Sequence, residues 1–367
     1  MSGLVLVGDD LTGTLDAASQ FTGALGDIPV YLNMTGTVPP GKDFACVVPT
    51  RDTDTERALF MARSALPMWR DAAVAFKKID SLLRGHWATE LAAALAGGMF
   101  TRVLFAPAFP SMARITRGGF VHLTTGGGER IDTDIVATLE SVGLSAICVP
   151  DPETLVDQSA QVLVCDALDD AMLERVVTRG KVLPGRTLWC GSAGLAAALA
   201  VRGARQVREF SAPLLAIIGS YHPVILEQLQ AVRATKSMHE IRWSVGGKYL
   251  VGPLSEAIAE HGKVLLGFDL PTGMDPSTAA ARINQAIHQV VPQLAVPATH
   301  IASGGETLLS VVAASDASHL DVLGDFLPGI PVSRIRGGLW AGVRVISKSG
   351  AFGDAETLVR MANAVRL

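Results

Sequence analysis

Leu4-Val5-Leu6-Val7-Gly8-Asp9-Asp10-Leu11-Thr12-Gly13 is the stretch on which the fold turns. Four consecutive apolar residues ended by a glycine read as a short strand buried on both faces, the habit of parallel sheets. Two adjacent carboxylates then fall at the strand's carboxyl end, where a hydroxyl or a magnesium ion can be held. Asp10 or Thr12 can also cap the next helix. Two aspartates are more than a cap requires.

The same alternation continues outward from this segment. A helix is expected over Leu15–Ala24, a strand at Phe44–Val48, a helix at Thr55–Ala65, a strand at Val74–Phe76, a helix at His86–Ala96 and a strand at Val103–Phe105. In the second half, strands at Leu214–Ile218, Val264–Leu266, Thr299–Ala302 and Val343–Ile346 alternate with helices at Val224–Ala234, Thr278–Val291, Thr307–Ala314 and Ala355–Ala364. Strand–helix alternation of this kind predicts an α/β protein. Two domains are expected, 1–210 and 211–367, each a mostly parallel β-sheet flanked by helices, with an active-site cleft between them. The boundary falls near Arg208–Ala212, between an alanine-rich helix and a new buried strand.

Composition narrows the function classes. Of 367 residues, 49% are hydrophobic and 18% charged, which suits a globular chain and not a disordered one. A formal net charge of −4 speaks against nucleic acid or an anionic membrane as the main partner. Cys46, Cys148, Cys165 and Cys190 form no CxxC and no zinc-type spacing, as expected of buried thiols in a reducing compartment. The apolar runs at the N-terminus and over Thr187–Val201 are too short to span a bilayer. A cytoplasmic location without a membrane partner is therefore expected, and homo-oligomerisation is left open.

In open α/β sheets, ligands bind beyond the carboxyl ends of the strands. In the first half these ends deliver Asp9, Asp10 and Thr12; then Arg51; then Lys78, Asp80, Ser81 and Arg84; and finally Arg114, Thr116 and Arg117. Each contributes a cation or a carboxylate. Arginine forks match carboxylates and phosphates, and aspartates accept from hydroxyls, so the set suits a polyhydroxy acid. In the second half the strand ends are rich in glycine and serine: Gly219-Ser220, Ser303-Gly304-Gly305-Glu306-Thr307 and Lys348-Ser349-Gly350. A glycine loop that opens a helix presents backbone N–H groups and the positive end of the dipole, which suits phosphate. The chain has no GxxxxGK[ST], GxGxxG or HExxH motif. Cys190-Gly191-Ser192-Ala193-Gly194 has the wrong spacing for a nucleophile elbow.

These segments, taken in order, resemble the four-carbon acid sugar kinases. The matching stretches are Gly8–Gly13, Lys77–Gly85, Ala106–Pro110 with Arg114 and Thr116, Gly191–Leu195, Gly219-Ser220, Ser303–Thr307 and Lys348–Gly353, and they extend over nearly the whole chain. The resemblance implies an N-terminal domain that binds the acid sugar and a C-terminal domain that binds ATP. It also implies transfer of the γ-phosphate to the terminal hydroxyl of a threonate, erythronate or 3-oxo-tetronate. ATP contacts are then expected at Ser220, at Ser303, Gly304, Gly305, Glu306 and Thr307, and at Lys348 and Gly350, with Mg2+ on the phosphates and Glu306 assisting through water. Arg51, Arg84 or Arg114 would hold the carboxylate, and Asp9, Asp10 or Asp80 the hydroxyls. Thr12 and Ser81 would complete the substrate site. Asp9 or Asp10 would take the hydroxyl proton, and Lys78 or Lys348 would steady the phosphoryl group. Leu82, His86, Thr14 and Arg117 depart from the family's usual residues, and the stretch between Thr125 and Arg186 is shorter than usual. These departures leave open a kinase for a different small hydroxy acid or sugar, or a nucleotide- or metabolite-binding homologue without catalysis.

Overall fold

In a computed structural model of the chain, the structure describes residues 3–32, 41–125, 128–244, 251–271 and 273–367. The chain divides into two compact units, Met1–Arg205 and Gln206–Leu367.

The strands of the first unit are β1 (Leu4–Gly8), β2 (Ile28–Leu32), β3 (Phe44–Val47), β4 (Val74–Lys78), β5 (Arg102–Ala106), β6 (Arg114–Arg117), β7 (Phe120–Leu123), β8 (Ala146–Val149), β9 (Val162–Cys165) and β10 (Thr187–Gly191). Its helices include α1 (Leu11–Ser19), α2 (Thr22–Leu25), α3 (Thr55–Ala65), α4 (Trp87–Ala96), α5 (Ile135–Ser141), α6 (Asp170–Gly180) and α7 (Ala193–Leu199). Eight strands pair in the order β2-β3-β1-β4-β10-β5-β9-β8, all parallel. β6 and β7 form a separate antiparallel hairpin. Val5 and Val7 of β1 join a core with Trp69, Trp87 and Leu91. Leu4 and Leu6, of the opposite parity, are equally buried. Both faces of the strand are therefore covered, which explains its unbroken apolar run.

β1 lies between β3 and β4, with Leu6 level with Ala45 on one side and Phe76 on the other. The chain runs from β1 toward β2 on one side and from neighbouring β4 toward β5 on the other, so the carboxyl ends of β1 and β4 mark a topological switch point, where a crevice opens. The helix after it begins at Leu11 rather than at the expected Leu15 and ends at Ser19, with a separate short turn over Thr22–Leu25. The early start has a local cause: Asp10 is extended and accepts from the Gly13 N–H as N-cap.

The second unit contains β11 (Phe210–Ser211), β12 (Leu214–Ile218), β13 (His239–Ser244), β14 (Lys263–Asp269), β15 (Thr299–Ser303), β16 (His319–Leu327), β17 (Ile330–Arg336), β18 (Arg344–Lys348) and β19 (Val365–Arg366). Its helices include α8 (Pro223–Thr235), α9 (Val251–His261), α10 (Pro276–Val290), α11 (Gly305–Ala314) and α12 (Thr357–Asn363). The main sheet runs β13-β14-β12-β15-β18-β17-β16. Its first five strands are parallel, while β17 pairs antiparallel with both β18 and β16. β12 is flanked by β14 and β15, which makes a second switch point.

The glycines of Cys190–Gly194 have a packing role. Ser192 is buried; its hydroxyl donates to the Ala108 carbonyl at 2.6 Å and accepts from the Gly194 N–H at 3.0 Å. It caps α7 and is not placed as a nucleophile. A Cβ on Gly194 would lie 2.5 Å from the Ala108 carbonyl oxygen and 3.1 Å from Phe109 Cα. Because both are backbone atoms, Gly194→Ala is expected to destabilise the protein by roughly 1–3 kcal/mol through overpacking, read as a lower urea midpoint. An unchanged midpoint would show that the helix and loop can part without loss.

Candidate active site

Three neighbouring strand ends build the site of the first unit. After β1, Asp9 is almost fully buried and Asp10 partly so. After β3, Arg51 reaches across to both. Its Nε donates to Asp9 Oδ2 at 3.1 Å, and its Nη2 donates to Asp9 Oδ1 at 2.7 Å and Asp10 Oδ1 at 2.6 Å. The second Asp10 oxygen accepts from the Thr12 hydroxyl at 2.8 Å and the Gly13 N–H at 3.3 Å. Lys78, at the end of β4, is buried and donates to the Ile79 carbonyl. A Cβ on Gly13 would lie 2.6 Å from Lys78 Nζ, so the glycine leaves room for the ammonium beside Asp10. Burial opposes ionisation of Asp10, yet Arg51 and Lys78 hold its carboxyl below the usual carboxylate range. Burial lifts the Asp9 carboxyl against the pull of Arg51 and Lys77.

The turn after β4 carries the rest. Arg84 forks onto Asp80 at 2.5 and 3.2 Å while most of its side chain stays exposed. Burial works against the Asp80 charge, but the Arg84 hydrogen bonds, with Arg51 beside them, bring its carboxyl down to about 2. Arg114, from β6, donates to the Ser81 hydroxyl. Leu83 has φ of 62° within this turn, a left-handed conformation rare for a branched residue and characteristic of functional loops. Gly85, at φ 88°, passes within 3.2 Å of Arg51 Cα, measured from where its Cβ would be. The structure thus gathers Asp9, Asp10, Thr12, Arg51, Lys78, Asp80, Ser81, Arg84 and Arg114 at one sheet edge. His86 is engaged with the Thr53 carbonyl at 2.7 Å.

Two contributors escape a reading of the sequence. Lys77 forms a buried ion pair with Glu90 of α4 at 2.5 Å, and its charge also acts on Asp9. Asp16, buried on α1, acts on the charge of Arg114. Its spacing of four from Thr12 is a helical signal once the helix is started at Asp10.

In the second unit the ends of β12, β15 and β18 lie side by side, Ser303 level with Ile218 and with Lys348. A Cβ on Gly350 would lie 2.4 Å from Ser220 Oγ, and one on Gly219 would lie 2.4 Å from Thr307 Oγ1. The glycines therefore let three loops converge. Gly304, at φ 102°, opens α11 with no side-chain cap. The first N–H groups of that helix point outward at the positive end of its dipole, with Glu306 exposed in its first turn. Ser303 is fully buried. Lys348 is buried as well, with its ammonium 3.5 Å from the Gly350 carbonyl. Among the described residues it has no ion pair, and burial depresses its ammonium to about 7. A buried cation beside an uncapped helix N-terminus has the chemistry to receive an anion.

No group of three His, Cys, Asp or Glu side chains suited to a metal occurs among the described residues. No described helix is long and apolar enough to cross a membrane.

Comparison with known proteins agrees with this geometry. Residues 4–139 match a family described as a sugar-binding N-terminal domain, and residues 266–358 match a nucleotide-binding C-terminal domain. The chain is 29% identical to a D-threonate kinase of Bordetella bronchiseptica, with 98% of this chain and 97% of the relative covered. It is 27% identical to a D-threonate kinase of Cupriavidus necator, with 96% of each covered. Its fold is shared by a candidate tRNA synthase from Salmonella typhimurium LT2 at a TM-score of 0.78 and 20% identity, over 97% of this chain and 98% of that one. A Haemophilus influenzae protein superposes at a TM-score of 0.72 and 16% identity, over 98% and 99%. With both family domains matched in order and relatives named D-threonate kinase aligned over nearly the whole chain, this protein belongs to the four-carbon acid sugar kinase family.

Proposed function

We propose that the protein transfers the γ-phosphoryl group of ATP to the terminal hydroxyl of a four-carbon acid sugar, with D-threonate the first substrate to test. The observation that carries this reading is Lys348. A buried ammonium with no counter-charge among the described residues, next to the open N-terminus of α11, calls for a phosphate. Residues 1–210 would then serve the acid sugar and 211–367 the nucleotide, and the relatives named D-threonate kinase supply the acceptor class.

The acceptor is held by the polar groups after β1, β3 and β4. Arg51 is already forked onto Asp9 and Asp10, so its work is to hold the two carboxylates ionised and oriented. Arg84, exposed, and Arg114 are the cations that would take the acid's carboxylate. Asp10 keeps a solvent-facing edge that Asp9 lacks, which makes it the better acceptor for the hydroxyl proton. The donor's phosphates lie on the Ser220, Ser303–Thr307 and Gly350 loops, with Lys348 against the transferring group. Phosphoryl transfer asks chiefly for positioning and charge neutralisation. Mg2+ carried in on the nucleotide would neutralise phosphate charge, and such an ion needs only one or two protein carboxylates, a demand Glu306 can meet.

The direct test is ADP release with ATP and Mg2+ across D- and L-threonate, D- and L-erythronate and 3-oxo-tetronates. Turnover with one of them establishes the reaction. Nucleotide binding with silence on all of them would make the chain a nucleotide-binding homologue instead.

Asp10→Asn keeps the shape of the site and removes the base, so kcat is expected to fall by about 10²–10⁴-fold. Arg84→Ala should mainly raise KM for the acid. Full activity in both variants would remove this site from the reaction.

The depressed Lys348 ammonium also gives binding a pH signature. In the unliganded protein Lys348 loses its proton near pH 7, well below its unfolded value of 10.5. The unfolded chain therefore holds more protons between those pH values, so this lysine makes stability rise with pH across that window. A bound phosphate favours the charged form, so nucleotide binding near pH 8 should take up a proton and weaken as pH rises further. Calorimetry of ADP in buffers of different ionisation enthalpy reads the uptake directly. Lys348→Met should abolish it, and uptake that persists in that variant would place the proton elsewhere.

A further inference from the structure

β4 sends its two lysines to opposite faces of the sheet. Lys78 lies level with Gly8 and Gly191, on the side of Asp10 and Gly13. Lys77 lies level with Val7 and Cys190, on the face whose core includes Ala75, Ile79, Trp87 and Leu91. There it meets Glu90 of α4 at 2.5 Å, with the two side chains only 5% and 2% exposed. Among the described residues no other donor reaches the Glu90 carboxylate. Asp9 is the next residue of Val7's parity along the chain, and the charge of Lys77 acts on it.

Packing does not account for this pair. Burying two charges costs desolvation, and apolar side chains of the same size commonly serve a core as well or better. The surroundings here are apolar already. What Lys77 and Glu90 supply, and a leucine could not, is a fixed charge beside Asp9. The groups that face Asp9 are Asp10 next to it, Arg51 from the turn after β3 and Lys77 from β4. Cys190 of β10 shares the neighbourhood as a thiol that burial keeps protonated. Signs thus alternate from the core to the site: Glu90, Lys77, Asp9, Arg51, Asp10. Burial opposes the charge on Lys77, but Glu90 and then Asp9 hold its ammonium above the usual range.

We propose that Lys77 and Glu90 are positioning residues of the acceptor site: the pair sets the charge beside Asp9 and so holds the Arg51 fork on both carboxylates. Neither has to touch the substrate. The inference rests on the acceptor-site half of the kinase reading above.

The full-length protein is labelled with 13C at its aspartate side-chain carboxyls and titrated by NMR, the Asp9 signal being identified by its loss in Asp9→Asn. Lys77→Met is expected to raise the Asp9 midpoint by about one pH unit or more. Glu90→Gln leaves Lys77 with Asp9 as its remaining carboxylate and should lower the midpoint. The acid limb of kcat/KM for D-threonate should move in the same two directions. The double variant Lys77→Met/Glu90→Gln buries no charge, which guards against a misfolded single variant, and its midpoint should rise as in Lys77→Met. A pair that serves packing alone would lower the urea midpoint and leave the titration in place. An Asp9 midpoint that stays put in the variants, or moves the same way in both single ones, would overturn the positioning role. A wild type without turnover on any four-carbon acid would remove the kinase reading, while the NMR titration still decides this one.

Discussion

Two carboxylates side by side at the end of a buried strand repel one another, and desolvation makes each charge still less welcome. Asp9 and Asp10 are held in this position by Arg51, whose planar fork reaches both at 2.6–3.1 Å. That contact exists only because β3 pairs parallel to β1, which brings the residue after β3 level with the residues after β1. The rest of the site depends on it. Asp10 is steady enough to cap α1, Gly13 makes way for Lys78, and the strained turn at Leu83 brings Asp80 and Arg84 against the same edge.

The second unit solves the opposite problem. There the charge is unmatched: Lys348 is buried with no carboxylate partner among the described residues, and α11 begins without a side-chain cap. Each feature is unfavourable in isolation, the first by desolvation and the second by N–H groups left without partners. Their adjacency makes sense as a site whose counter-charge arrives from solution. The first unit carries its own balancing charges and offers hydroxyl acceptors. The second offers donors and a cation. A hydroxy acid and a polyphosphate are the ligands we propose for these two complements.

The strand ends are legible because parallel strands covered on both faces are unbroken apolar runs, each succeeded by a polar or glycine-rich turn. Asp9, Arg51, Asp80, Ser220 and the Ser303–Thr307 loop can all be picked out on that ground. The start of α1 lies four residues ahead of its expected place because Leu15 begins the apolar periodicity, whereas the backbone is set earlier by the Asp10 cap. Asp16 and its link to Arg114 are lost to the sequence with it. The buried Lys77–Glu90 pair is invisible there too, since nothing in either residue's neighbours announces a partner thirteen positions away on another element.

Local order along the chain was thus enough to specify the α/β class and the residues that stand at strand ends, because burial on two faces and glycine-bearing turns are short-range properties. Which of those ends become neighbours was decided by pairing. The order β3-β1-β4 and the order β14-β12-β15 depend on contacts between segments far apart in the chain. So does the row Ile218, Gly267 and Arg242, to which three strands contribute and which only the sheet brings level. Charge balance was settled at the same level: Arg51, Arg84 and Lys348 are equally cationic in the sequence, and only folding gives the first two carboxylates and leaves the third with a carbonyl at 3.5 Å.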